Sequence, residues 1–111
     1  MTPRTRTYIL VDKEPVPEPD MVKWGEFWRD REQWRVAQTE IPGGLVSTVF
    51  LGVDHRFIGE GPPLLFETMT FIDGESVNCG RTSTWTEAEA MHNAVAAELV
   101  AELLRRKAKD D

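Results

Sequence analysis

Cysteine is nearly missing from this chain. Cys79 is the single one in 111 residues, which excludes an internal disulfide framework and cysteine-rich zinc sites. Long apolar runs are missing as well. No stretch approaches the ~20 residues that a membrane-spanning helix needs. Met1-Thr2-Pro3-Arg4 is not followed by the apolar segment of a secretory signal, so the expected compartment is the cytosol, with no membrane partner. Positive charge is scarce: 13 Lys and Arg stand against 19 Asp and Glu, a net charge of −6. A nucleic-acid binder needs a basic face, so nucleic acid is not an expected partner. The sequence has no P-loop, no G-x-G-x-x-G and no G-x-S-x-G, hence no expected cofactor and no serine-nucleophile elbow.

What is present is a globular composition, 41% hydrophobic and 29% charged. It predicts one domain over residues 1–111, with 1–5 and 108–111 frayed. Residues 6–12 read as a short strand. Pro15, Pro17 and Pro19 then predict an extended connector. Asp20 caps an expected helix over 21–31, in which Met21, Trp24, Phe27 and Trp28 form one stripe. The stripe is expected in the core, with an aromatic binding surface as the sharper reading.

Strands are predicted over 34–41, 45–51, 64–72 and 76–82, with turns at Pro42-Gly43-Gly44 and Asp73-Gly74 and a bulge at Gly80. Thr84 and Glu87 form a capping box that starts a helix over 85–107. Its core face would hold Ala88, Met91, His92, Val95, Leu99 and Leu103. Arg105, Arg106, Lys107 and Lys109 complement its dipole. The order β-α-β-β-β-β-α predicts an α+β domain of two layers. Its antiparallel sheet would have four to five strands, with both helices on one face. The order is similar to that of the double-stranded RNA-binding domain, but Glu87 and Glu89 stand where that domain presents lysines.

Three places could carry chemistry. The loop Gly52–Pro63 holds Asp54, His55, Arg56 and Glu60, and loops of this length are often functional. Its plainer reading is a hairpin connection in which Asp54 makes turn hydrogen bonds. Glu67 shares a strand face with Leu65, Met69 and Phe71, so it is expected to be covered and paired, with Arg35, Arg81 or a histidine as partner. His92 lies on the core face of the last helix. Two histidines with Asp54 and Glu67 offer metal-ligand types, but no ligand spacing supports a metal. Cys79 has no activating neighbour in sequence.

Three blocks are distinctive: Ser47 to His55 (S-T-V-F-L-G-V-D-H), Gly61 to Met69 (G-P-P-L-L-F-E-T-M) and Ser83 to His92 (S-T-W-T-E-A-E-A-M-H). In this order they resemble a family of small proteins of bacteriophages and prophages, mostly of actinobacterial hosts. Asp54, His55, Glu67, Trp85 and His92 fall on the matching positions. The resemblance implies an accessory protein in the host cytosol and implies no reaction. The leading expectation is a non-enzymatic binding domain that contacts a host or phage protein. The alternatives are a small-molecule or nucleotide pocket built from Asp54, His55, Arg56, Glu67 and His92, and a structural or virion-associated subunit. Each is compatible with a homodimer.

Overall fold

In a computed structural model of the chain, the structure describes residues 6–110. The expected first strand forms β1 (Tyr8–Val11), but it does not join the main sheet. It pairs instead with β2 (Glu14–Pro17), in the segment expected to be a connector. Pro15 and Pro17 sit at alternate positions, so their missing N–H groups all fall on the side of β2 that faces away from β1. Asp12 and Lys13 link the two strands with φ of 51° and 70°, the pattern of a tight type I′ turn.

The expected helix over 21–31 divides into α1 (Met21–Phe27) and a single turn, α2 (Arg31–Trp34). Asp20 caps the first by accepting from the Val22 and Lys23 amides, and Asp30 caps the second by accepting from Glu32. The second cap explains the break.

The main sheet is a meander, β3 (Arg35–Ile41), β4 (Gly44–Phe50), β5 (Phe66–Ile72) and β6 (Glu75–Thr82), antiparallel throughout and in that spatial order. Pro42-Gly43 and Asp73-Gly74 turn its hairpins, and β6 is bulged beside Gly80, as predicted. The loop between β4 and β5 divides the meander in two. α3 (Trp85–Asp110) crosses all four strands. Residues 108–110 belong to this helix, and 1–5 and 111 lie outside the described residues.

Burial alternates along β4 and β5. Val46, Thr48, Phe50, Phe66, Thr68 and Thr70 are buried beneath α3, and the residues between them are less covered. α1 reaches the same side of the sheet at one end, where Phe27 meets Phe50 edge-on and Trp28 stacks on it at 6.0 Å. The aromatic series continues from Phe50 to Phe66 and on to Trp85 at the start of α3. Tyr8, Leu65 and Ala88 complete this core. Of the expected stripe, Phe27 lies in this core and Trp28 packs against it, while Trp24 is half-buried and Met21 is exposed.

Gly52 is the joint between the N-terminal elements and the sheet. Its carbonyl accepts from the Tyr8 amide at 2.8 Å and from the Trp24 indole at 3.1 Å. Its φ is 72°, and a Cβ there would stand 2.2 Å from the Trp28 ring, so only glycine fits.

Candidate functional site

The loop after Gly52 is built by Asp54. One carboxylate oxygen accepts from the Arg56 amide at 2.8 Å and from the Leu64 amide at 3.0 Å, which ties the two ends of the loop together. The Asp54 amide donates to the Arg6 carbonyl, and the Arg6 guanidinium donates to the Asp54 carbonyl. His55 Nδ1 lies 2.7 Å from the Val53 carbonyl. A carbonyl can only accept, so Nδ1 carries the proton. Arg56 Nε donates to the Pro62 carbonyl. These contacts are the turn chemistry of the plainer reading, and they explain how a loop this long stays ordered.

Glu67 occupies the face of β5 that α3 does not cover. Its Oε2 accepts from Arg81 Nε at 3.0 Å and from Asn78 Nδ2 at 3.0 Å, and Arg81 Nη2 is 2.9 Å away. Arg81 is directly opposite Glu67 in the register of β5 and β6, and it is one of the expected partners. The expected covering of this strand on both faces is corrected here: Phe71, on Glu67's own face, is 36% exposed.

His92 is 3% exposed and lies on the opposite face, between α3 and the middle of the sheet. Its Nε2 is 2.8 Å from Thr39 Oγ1 on β3, and its Nδ1 is 2.8 Å from Thr48 Oγ1 on β4. Thr48 Oγ1 is 2.7 Å from Thr68 Oγ1 on β5. Four groups are thus joined by three hydrogen bonds. With a neutral imidazole the four protons available suffice for the three bonds, in either tautomer. Burial pushes the pKa of His92 down from its ordinary value, which favours that neutral form.

The expected set therefore does not come together. Glu67 and His92 project from opposite faces of the sheet, because Glu67 is the immediate neighbour of Thr68, which lies beneath His92. Asp54, His55 and Arg56 belong to the loop at the sheet's end. Surface hollows lie elsewhere: by the β5–β6 turn, around Lys13 and Trp85, and beside Ile41 and Pro42. Among the described residues, no three His, Cys, Asp or Glu side chains gather where they could hold a metal ion. Cys79, at the bulge of β6, is exposed, with Thr70 and the Val77 carbonyl as its sulfur contacts. No helix among the described residues is long and apolar enough to cross a membrane.

One surface available to a partner is the uncovered sheet face. Leu45 and Phe71 are cross-strand neighbours there, and Ser47 is opposite Met69. Glu40 and Gln38 on β3 and Ser76 and Asn78 on β6 frame them. The framing residues are exposed and Leu45 and Met69 are half-buried, with no second layer over them among the described residues. The threonine partners of His92 and this apolar patch were both missed in the sequence. The available signal was the alternation in Phe66-Glu67-Thr68-Met69-Thr70-Phe71, which separates threonines from Met69 and Phe71.

No protein-family description matches the chain, and no curated protein or solved structure matches it closely enough to carry an argument.

Proposed function

We propose that this chain is a binding domain without enzymatic activity that docks a host or phage protein on the uncovered face of its sheet. The phage setting comes from the resemblance of the three sequence blocks. The observation that carries the binding reading is the division of labour between the two sheet faces. Three of the candidate side chains are engaged in holding the fold: Asp54 closes a loop, Glu67 pairs across strands, and His92 is sealed under α3 with both ring nitrogens bonded. A ligand could reach His92 only by lifting α3. The Leu45, Met69 and Phe71 patch has an apolar centre and a polar frame, the anatomy of a protein interface.

The test uses capture from host lysate with the intact chain as bait. The wild-type chain should retain one protein in stoichiometric amount, and a photo-crosslinking amino acid in place of Met69 should attach to it. Phe71→Glu, with its thermal transition preserved, should lose it. Equal recovery by both forms overturns the reading. So does a co-purifying small molecule released by Asp54→Ala or His55→Ala with no protein captured, which points to the pocket alternative.

A further inference from the structure

Lys13, in the turn between β1 and β2, reaches across to the start of α3. Its Nζ lies 5.3 Å from the centre of the Trp85 ring, within cation–π range. This contact bridges a trough. Two adjoining hollows of about 240 Å³ and 370 Å³ share Asp12, Lys13 and Trp85 among their walls. Leu10, Phe27 and Trp85 supply the apolar lining. Phe27 and Trp85 both pack into the core beneath α3, so the trough is on that side of the sheet and separate from the face of Leu45, Met69 and Phe71.

Four carboxylates, those of Asp12, Glu14, Glu32 and Glu89, line the trough against the single ammonium of Lys13. Arg31 and Arg35 are outside its lining. Glu32 is held only loosely, 3.8 Å from Arg35. Among the described residues Asp12, Glu14 and Glu89 form no ion pair, and Lys13 rests on the indole rather than on a carboxylate. These carboxylates do not converge. No three of them gather where one metal ion could be held. Negative charge spread along a trough suits several cations spaced along a chain. The lining suits them too, since Lys and Arg carry apolar stems and a guanidinium stacks on an indole. Pro15 and Pro17 remove amides from the free side of β2, so recognition falls to side chains rather than to strand addition.

We propose that this trough is a second docking surface, and that it takes an extended basic segment of a partner protein. One arginine of the segment stacks on Trp85 in the seat held by Lys13, and its neighbours pair with Glu14 and Glu89 in one hollow and with Glu32 in the other. Lys13 is then an internal occupant that the segment displaces, and its ammonium opposes every cation that enters. It occupies a turn position with φ of 70°, where glycine is the favoured residue. Lys13→Gly therefore keeps the turn while it vacates the ring and removes the opposing charge. The proposal does not rest on the uncovered sheet face, which is on the other side.

The test is fluorescence anisotropy of a fluorescein-labelled hexa-arginine peptide titrated with the full chain. The wild-type chain should bind it saturably. Glu14→Lys and Glu89→Lys change exposed side chains and leave the Thr84–Glu87 cap intact, and each should raise the dissociation constant at least about fivefold. Glu75→Lys makes the same change of charge at the β5–β6 turn, away from the trough, and should leave the affinity within about twofold. Lys13→Gly should tighten binding about threefold or more. No binding by the wild-type and Lys13→Gly chains overturns the proposal. So does equal weakening by Glu75→Lys and Glu89→Lys, which reduces the binding to the general attraction of an acidic protein for a cation. Spermidine that displaces the peptide at equal charge concentration overturns the requirement for a peptide segment. Lys13→Gly that binds no tighter overturns the seat on Trp85.

Discussion

α3 covers two quite different pieces of the same sheet. At its start it closes an aromatic end, where Trp24, Trp28, Phe27, Phe50, Phe66 and Trp85 follow one another ring to ring. Two turns on, it rests on hydroxyls, with His92 bonded to Thr39 and Thr48. The first region holds by volume. Aromatic burial is large and tolerant of small rotations, with about 0.5–1.5 kcal/mol per ring pair beyond the area term. The second holds by direction. Each net hydrogen bond contributes only about 1 kcal/mol, but an unmade one in this setting costs about 1–3 kcal/mol. The aromatic end therefore holds by buried volume, and the threonine–histidine line fixes how α3 is rotated over the strands. That rotation leaves Ala97 and Leu104 facing outward.

The aromatic end should be the easiest to break. Phe50 is 1% exposed and touches Phe27, Trp28 and Phe66, so Phe50→Ala should cost about 3–5 kcal/mol in chemical denaturation. Gly52→Ala follows, at about 2–4 kcal/mol, because the added Cβ drives out the Trp28 ring and φ is positive. Near-ultraviolet circular dichroism should register the displaced indole. If Gly52→Ala leaves that signal and the melting curve unchanged, the joint between α1 and the sheet is not where the structure has it.

The directional region is probed by Thr48→Val, which keeps the volume and leaves His92 Nδ1 and Thr68 Oγ1 without their partner. A loss of about 1–3 kcal/mol is expected, largely recovered by Thr48→Ser. pH gives a second handle. The folded state lowers the pKa of His92, so folding favours the neutral ring. Its contribution is complete above the ordinary histidine value of about 6.5 and is lost as pH falls through the lowered folded value. Stability followed from about pH 7 to about pH 5 should fall more steeply for the wild-type chain than for His92→Gln. Equal slopes would mean that the ring is not held neutral.

The contrast between the regions also explains what could be read in the sequence. Local signals were legible. Thr84 and Glu87 cap α3 as expected, with Glu87 accepting from the Thr84 amide and donating its own amide to Thr84 Oγ1. Asp73-Gly74 turns a hairpin, and the order of the four central strands follows from their short links. His92 could be placed on the core face from its spacing, but its partners could not, because Thr39, Thr48 and Thr68 come from three strands whose relative register no local pattern records. Prolines taken as strand breakers hide the pairing of β1 with β2 in the sequence. Their alternate spacing makes an edge strand instead. Apolar residues on both faces of 64–72 read as a doubly covered strand around Glu67. Composition cannot tell an interior face from an apolar patch left open.

That last distinction can be measured with the smallest of the expected effects. Glu67 and Arg81 form a cross-strand pair whose side chains are 15% and 36% exposed, on the face without a covering layer. An ion pair in contact with water contributes about 0–1 kcal/mol, since solvent screens it and the freed groups rehydrate. Glu67→Gln retains an acceptor for the Asn78 amide, so its cost should lie at the lower end of that range and shrink further in high salt. A buried carboxylate pair behaves differently. Removing one charge there strands the other, at about 3–5 kcal/mol, and salt changes little. If Glu67→Gln destabilises the chain as much as Thr48→Val does, the face carrying Leu45, Met69 and Phe71 is an interior, and it offers a partner nothing to dock on.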